Sequence, residues 1–363
     1  MSRIVCLLLT LTGSLAACLP LWGEAPPYTD HSNLLYFLSE QGTHVPVKCP
    51  ADWQQRRAHI LENMQKVMGE LPTEERRVPL ELEVLEETKI DDLIRRKITY
   101  QAEPGDRVPA YLFVHPDSGT RTRAAVVCLH QTTNLGKGEP AGMGPNVNLH
   151  YALELARRGY VTIAPDYPRF ADNQYRFETE GKYASNTMKG IWNHIRAVDL
   201  LQSLPEVDPE RIGCIGHSLG GHNSIFLAVF DPRVKAAVSS CGFNSFPKYY
   251  GGNLKGWASL YYMPRIEQLY GNDPAQMPFD FPELIGAIAP RAFFTNSPLH
   301  DGNFEVSGVR DCLSAAQPIY DLFGKSDHLQ ARYPNAEHDF PVETRNEAYQ
   351  FLDQHLRANG EIR

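Results

Sequence analysis

The chain lacks a surplus of positive charge, a cysteine framework, internal repeats and low-complexity tracts. Its 363 residues carry 35 Lys and Arg against 43 Asp and Glu, a formal net charge of −8. That balance argues against a nucleic-acid partner, because nucleic-acid-binding proteins usually present a basic face. Its seven cysteines have no close pairs, which indicates neither a zinc site nor a disulfide scaffold. The sequence leaves a Cys49–Cys312 bridge open.

The first 25 residues have the pattern of an export signal. Arg3 precedes the apolar run Ile4–Leu11, which is too short to span a bilayer, and small residues follow. The segment Leu15–Cys18 resembles a bacterial lipobox, in which the cysteine becomes lipidated. The alternative is ordinary signal cleavage. We therefore expect an exported protein that is periplasmic, at the cell surface or extracellular, with membrane anchoring through Cys18 as one form.

Two further regions follow this segment. Residues 26–79 read as an irregular arm and an amphipathic helix over about 51–70, because Trp53, Ile60, Met64 and Val67 recur at helical spacing. Residues 80–363 read as one catalytic domain. It opens with three alternating stretches, typical of an antiparallel meander: Leu80–Leu85, Ile94–Tyr100 and Ala110–Val114.

From residue 124 onward, short apolar runs alternate with helical patterns. Such alternation predicts a mostly parallel sheet with helices on both faces, the α/β class. The predicted strands are Ala124–Leu129, Val161–Ala164, Ile212–Ile215, Ala236–Val238, Ala292–Phe294 and Leu329–Tyr333. The predicted helices lie near 148–158, 187–204, 219–230, 303–322 and 342–357.

The pentapeptide Gly216–Gly220 fits the G-x-S-x-G pattern and follows a predicted strand directly. Glycines on both sides of a serine allow a tight strand-to-helix turn that exposes the hydroxyl. The context of strand, turn and helix is the one that the motif requires. Ser218 is therefore the candidate nucleophile.

A serine hydroxyl needs a base to take its proton and a carboxylate to orient that base. His338 follows the last predicted strand, whereas its rival His328 precedes or joins that strand. Asp301 follows the strand Ala292–Phe294. Asp327 and Asp339 are less well placed, and the alternative role for Asp301 is a helix N-cap. For the oxyanion hole, the sequence predicts the backbone N–H groups of Leu219 and Gln131.

Five segments together resemble the dienelactone hydrolase and acetyl xylan esterase-like branch of the α/β-hydrolases, and also the catalytic domain of prolyl oligopeptidase-type peptidases. They are LHQTT (129–133), VTIAPDYPRF (161–170), VDPERIGCIGHSLGGH (207–222), IAPRAFFTNSPLHDGNF (288–304) and AEHDFP (336–341). The resemblance covers about residues 80–358. Two departures stand out: dienelactone hydrolases use a cysteine nucleophile, and the oligopeptidases carry a long N-terminal propeller that is missing here.

An aromatic stretch lies between two predicted strands, where this fold often inserts a cap, here near 243–285. Aromatic faces suit sugar rings or aryl esters, although packing of the cap explains them equally well. The predicted substrate-binding residues are Trp257, Tyr249, Tyr261 and His130.

The resulting hypothesis is a serine carboxylic-ester hydrolase that acts through an acyl-enzyme and needs no cofactor or metal. The expected partner is a small-molecule or polysaccharide ester, such as an acetylated polysaccharide. Two alternatives stay open: a prolyl oligopeptidase-like peptidase, and a non-catalytic lipid-anchored binding protein.

Overall fold

The computed structural model describes residues 27–116 and 122–357. The predicted export signal and the lipobox cysteine lie outside these described residues. In the part of the chain that is described, no helix is both long and apolar enough to cross a membrane.

One large mixed sheet organises the described residues. Its strand order is β11-β10-β9-β8-β6-β7-β5-β4-β3. The six strands from β11 to β7 pair in parallel, and β5, β4 and β3 continue the sheet as an antiparallel extension. The strands are β3 (Glu83–Ile90), β4 (Leu93–Glu103), β5 (Asp106–Val114), β6 (Arg123–Leu129), β7 (Val161–Pro165), β8 (Val207–His217), β9 (Val234–Ser240), β10 (Ala292–Asn296) and β11 (Leu329–Arg332). A separate hairpin consists of β1 (Tyr36–Leu38) and β2 (His44–Pro46).

Helices pack on both faces of this sheet. They are α1 (Pro50–Met68), α2 (Tyr151–Arg157), α3 (Phe177–Glu180), α4 (Asn186–Ser203), α5 (Leu219–Phe230), α6 (Arg265–Tyr270), α7 (Phe281–Ile288), α8 (Val306–Leu322) and α9 (Val342–Leu356). The central strands are buried because they are continuously apolar, as expected for parallel strands covered on both sides. The predicted fold class is confirmed.

The first strand of the meander is where the sequence prediction is displaced. It is predicted at residues 80–85 but runs over Glu83–Ile90. This strand lies at the open edge of the sheet, and most of its side chains are exposed. Little burial acts on it, so its alternation of apolar and polar residues carries little information about its bounds.

The arm before α1 is attached to the catalytic domain by a buried ion pair. Arg56 of α1 donates to Glu283 of α7 at 2.5 Å, and His31 of the arm contacts the same carboxylate at 2.8 Å. Burial would raise the pKa of Glu283, but His31 and Arg56 outweigh it and lower that pKa below its usual value. The arm and the region between β9 and β10 are thereby held together. The domain boundaries themselves stay a prediction.

Candidate active site

Ser218 sits at the turn between the end of β8 and the start of α5. Its backbone adopts φ 54 and ψ −115, a conformation that non-glycine residues rarely occupy. The Ser218 N–H donates to the Ser240 carbonyl at 2.8 Å, which fixes the turn against β9. This is the strained elbow that presents a nucleophile at the carboxyl edge of a sheet.

Two glycines make room for that turn. A Cβ on Gly216 would lie 2.2 Å from the Gly220 carbonyl oxygen. A Cβ on Gly220 would lie 1.8 Å from the Leu129 carbonyl oxygen at the end of β6. Neither distance is physically accessible to a methyl group. The elbow therefore packs directly against the strand that leads into the predicted oxyanion loop.

His338 and Asp301 form a close pair in the loops that follow β11 and β10. His338 Nδ1 lies 2.9 Å from each carboxylate oxygen of Asp301. Oδ1 of Asp301 also accepts the N–H groups of Asn303 at 2.8 Å and Phe304 at 3.1 Å. The same carboxylate thus orients the imidazole and orders the loop beside it.

The environment of Asp301 keeps it ionised. Burial would raise its pKa, but the hydrogen bond and charge of His338 and the two backbone N–H groups together lower it below the ordinary value. An ionised carboxylate facing Nδ1 requires the proton on that nitrogen. Nε2 of His338 is then the free acceptor, as a general base needs.

Ser218, Leu219, Gln131 and His338 all line one pocket of about 400 Å³. The described residues show no hydrogen bond from the Ser218 hydroxyl to the imidazole. Such bonds often tighten only when substrate binds. The structure therefore brings the nucleophile, base and acid predicted from the sequence to one edge of the sheet.

The rival residues lie elsewhere or have other partners. His328 Nδ1 bonds the Pro290 carbonyl at 2.8 Å, and its ring packs 4.7 Å from His355. Asp339 accepts from the Asn148 side chain at 2.6 Å.

Leu219 is the first residue of α5, so its N–H belongs to the helix end whose donors have no intrahelical acceptor. Gln131 lines the same pocket from the loop after β6. Both predicted oxyanion donors thus belong to residues that line the pocket of the candidate nucleophile.

The prediction that His130 binds substrate is wrong. This side chain is buried and does not line the pocket. Its Nε2 accepts the Tyr167 N–H at 3.0 Å, and its Nδ1 lies 2.6 Å from the Gln131 carbonyl. Burial lowers its pKa, so the ring is neutral. His130 instead fixes the backbone of the oxyanion loop.

The three aromatic residues predicted to bind substrate occupy different positions relative to the pocket. Trp257 lines the pocket, whereas Tyr249 and Tyr261 do not. Tyr249 packs against two residues that line the pocket, with its ring centroid 5.5 Å from that of Trp257 and 5.9 Å from that of Phe304. Tyr261 is exposed and packs on Phe170 at 5.4 Å. Tyr249 is therefore corrected to a supporting role, whereas substrate binding by Tyr261 stays a prediction.

Several pocket residues were missed by the sequence reasoning. They are Thr132, Leu149, His217, His222, Tyr262, Asn303 and Phe304. The two histidines flank the nucleophile in the sequence, and Asn303 and Phe304 follow the acid. These four residues could have been found from the sequence, because they lie close in the chain to Ser218 or Asp301.

His217 and His222 are neutral. Burial lowers the pKa of each to about 3. His217 Nδ1 bonds Ser240 Oγ at 3.0 Å. His217, Cys241 and His338 place ligand atoms within 4.8 Å of one another, yet each of the three has a protein partner. We assign no metal to them.

Cys49 and Cys312 are both free thiols, so they do not form the bridge that the sequence left open.

Residues 139–256, which contain the elbow, match the Dienelactone hydrolase family. The chain has the α/β-hydrolase fold. With a serine at the elbow and a histidine–aspartate pair beside it, the hydrolase is a serine-type carboxylic ester hydrolase.

Relatives of this hydrolase include esterases and proteins named only as hydrolases. "Putative hydrolase YtaP" of Bacillus subtilis is 26% identical over 313 residues, spanning 83% of this chain and 100% of that protein. "4-O-methyl-glucuronoyl methylesterase 1" of Sodiomyces alcalophilus is 23% identical over 173 residues, 43% of this chain and 34% of that protein. The hydrolase thus aligns with about a third of that methylesterase's length.

Among solved structures, the glucuronoyl esterase from Solibacter usitatus superposes with a TM-score of 0.69 at 18% identity. The match covers 92% of this chain and 100% of that one. At this identity the likeness concerns the fold.

Proposed function

We propose that this α/β-hydrolase is an exported enzyme that cleaves carboxylic esters of carbohydrates through an acyl-enzyme. Serine-type ester hydrolysis follows from the site. The carbohydrate part of the proposal depends on buried polar groups of the residues that line the pocket. The relatives named as glucuronoyl esterases support the same substrate class.

Unpaired buried polar atoms on residues that line the pocket carry this proposal. Gln131 Oε1, Trp257 Nε1 and both ring nitrogens of His222 are buried without a well-formed hydrogen bond to any described residue, although the Gly242 backbone lies near the His222 ring. All three residues line the pocket. Leaving such a group unpaired costs about 1–3 kcal/mol.

Hydroxyl groups match these atoms, because each hydroxyl both donates and accepts. The Trp257 N–H is a donor, Gln131 Oε1 is an acceptor, and neutral His222 offers one of each. A plain aryl or alkyl ester would leave them unsatisfied. A polyhydroxylated substrate is therefore the chemical class that fits.

The reaction uses the residues as follows. Ser218 Oγ attacks the ester carbonyl while His338 Nε2 takes its proton, and the Leu219 and Gln131 N–H groups bind the developing oxyanion. The carbon–oxygen bond to the alcohol breaks, and His338 returns the proton to the leaving oxygen. Water, deprotonated by His338, then releases the acid.

Trp257→Phe gives a direct test, because it keeps an aromatic ring and removes one unpaired donor. We expect kcat/KM on acetylated xylan to fall about tenfold, the value of a well-placed hydrogen bond, with activity on 4-nitrophenyl acetate unchanged. Ser218→Ala should abolish both activities, and Ser314→Ala on the exposed face of α8 should change neither. Equal losses on both esters for Trp257→Phe would contradict the carbohydrate proposal.

The two alternatives have distinct outcomes in the same assays. Cleavage of prolyl peptides without cleavage of short acyl esters would favour a peptidase. Failure of Ser218 to react with a fluorophosphonate would favour a binding protein.

Export and anchoring through Cys18 stay proposals that depend on the sequence of residues 1–25. Incorporation of labelled palmitate that is lost in Cys18→Ser would support lipidation. A protein recovered in the cytosol with its first residues intact would refute export.

A further inference from the structure

Tyr250 is a large aromatic residue held exposed in an unfavourable backbone conformation. The residue is 57% exposed. Its backbone lies at φ 45 and ψ 41, in the left-handed region that favours glycine. Gly251 and Gly252 follow with φ 66 and φ 90. Tyrosine at position 250 therefore carries a backbone strain that glycine would avoid.

The Tyr250 ring is fixed despite its exposure. Its hydroxyl donates to Asn303 Oδ1 at 2.7 Å. The ring also packs against Tyr249 in a T-shaped arrangement, with centroids 4.8 Å apart and planes at 86°. A ring held by its hydroxyl and by a neighbouring ring loses little further side-chain entropy on binding.

Tyr250 stands on the side of the pocket that receives the leaving alcohol. Its partner Asn303 lines the pocket, as does Phe304, whose ring lies 6.0 Å from His338. His338 must protonate the leaving oxygen, so the alcohol part of the ester lies next to this imidazole.

We propose that Tyr250 is a stacking platform for a sugar ring in the alcohol part of the substrate. The enzyme would then remove an acyl group from a sugar hydroxyl, rather than an alcohol from a sugar acid. The C–H face of a pyranose is apolar and fits the π face of a fixed tyrosine. This inference extends the proposed function by saying which half of the ester is the carbohydrate.

The test compares two sugar esters of opposite polarity in wild type, Tyr250→Gly and Tyr250→Phe. One is an acetylated xylo-oligosaccharide, whose sugar is the alcohol, and the other is methyl glucuronate, whose sugar is the acid. Tyr250→Gly should lower kcat/KM about tenfold on the first and leave the second and 4-nitrophenyl acetate unchanged. Tyr250→Phe keeps the ring and should retain most activity. Tyr250→Gly relieves the backbone strain but loses the Asn303 hydrogen bond and the Tyr249 contact, so its Tm should stay within about 5 °C of that of wild type.

Three outcomes overturn the inference. They are an unchanged kcat/KM for the acetylated sugar, a loss confined to methyl glucuronate, and an equal loss on all three esters, which would mean that Tyr250 acts on His338 through Asn303.

A binding measurement separates this inference from the proposed function. The Ser218→Ala variant is titrated with an unacylated xylo-oligosaccharide, the alcohol product, and followed by tryptophan fluorescence. Binding that disappears in the Ser218→Ala/Tyr250→Gly double variant supports the platform even if acetylated xylan is not a substrate. Absence of binding, or equal binding by both variants, overturns it.

Discussion

The hydrogen bonds around Asp301 predict how the substitution Asp301→Asn would change catalysis. Oδ1 of Asp301 accepts the Asn303 and Phe304 N–H groups, and both Oδ1 and Oδ2 lie 2.9 Å from His338 Nδ1. An asparagine would keep its oxygen where the two backbone donors point. Its NH₂ group would then take the place of Oδ2 and face Nδ1.

The NH₂ group donates towards Nδ1 and the carboxylate charge is gone, so we expect the imidazole to become an acceptor at Nδ1. Its proton then moves to Nε2, which can no longer take the proton of Ser218. This wrong tautomer costs on the order of 10⁴ in kcat, or about 5.5 kcal/mol at about 1.4 kcal/mol per factor of ten. The KM should change little, because Asp301 is buried and the shape of the pocket is preserved.

The assay is steady-state hydrolysis of 4-nitrophenyl acetate, with circular dichroism to show that the variant is folded. Asp339→Asn is the matched control, because Asp339 adjoins His338 in the chain but accepts from the Asn148 side chain. The control should stay within about twofold of wild type, as surface substitutions do. A folded Asp301→Asn enzyme with more than a tenth of wild-type kcat would refute the tautomer argument.

Three further changes test the elbow, a buried acid and the attachment of the arm. Gly220→Ala would place a methyl group 1.8 Å from the Leu129 carbonyl oxygen. We therefore expect a loss of about 1–3 kcal/mol in the free energy of unfolding, measured in urea, and about a hundredfold lower kcat in the esterase assay. Wild-type values in both measurements would refute the close packing. Burial raises the pKa of Asp280 from 3.8 to about 7. The folded state therefore binds this proton more tightly than the unfolded state, and stability falls as pH rises from about 4 to about 7. Asp280→Asn should flatten the plot of Tm against pH between these values, and an unaltered slope would contradict the pKa shift. Arg56→Met leaves the buried Glu283 without its guanidinium partner and should cost about 3–5 kcal/mol; a loss below about 1 kcal/mol in urea unfolding would show that His31 alone suffices.

Most of the sheet and the three candidate catalytic side chains were predictable because their signals are local. Buried parallel strands are continuously apolar, and the glycines around Ser218 mark the one turn that could expose it. The loop positions of His338 and Asp301 then follow from the strand order.

What the sequence could not supply depends on tertiary packing. His130 belongs to the predicted oxyanion loop, and only the structure shows that the Tyr167 N–H and the Gln131 carbonyl occupy its nitrogens. The left-handed backbone of Tyr250 and the unpaired nitrogens of His222 likewise have no sequence signature. Each arises where segments distant in the chain meet.

The contact between Gly220 and the end of β6 constrains how this enzyme could acquire a new specificity. The nucleophile's turn and the strand leading to the oxyanion loop interlock, so neither could be remodelled without the other. The segment from Tyr249 to Tyr262 contributes to the pocket through Trp257 and Tyr262 and carries no residue of the candidate triad. Variation in substrate preference among related enzymes should therefore accumulate in that segment, while the residues around the elbow change together or not at all.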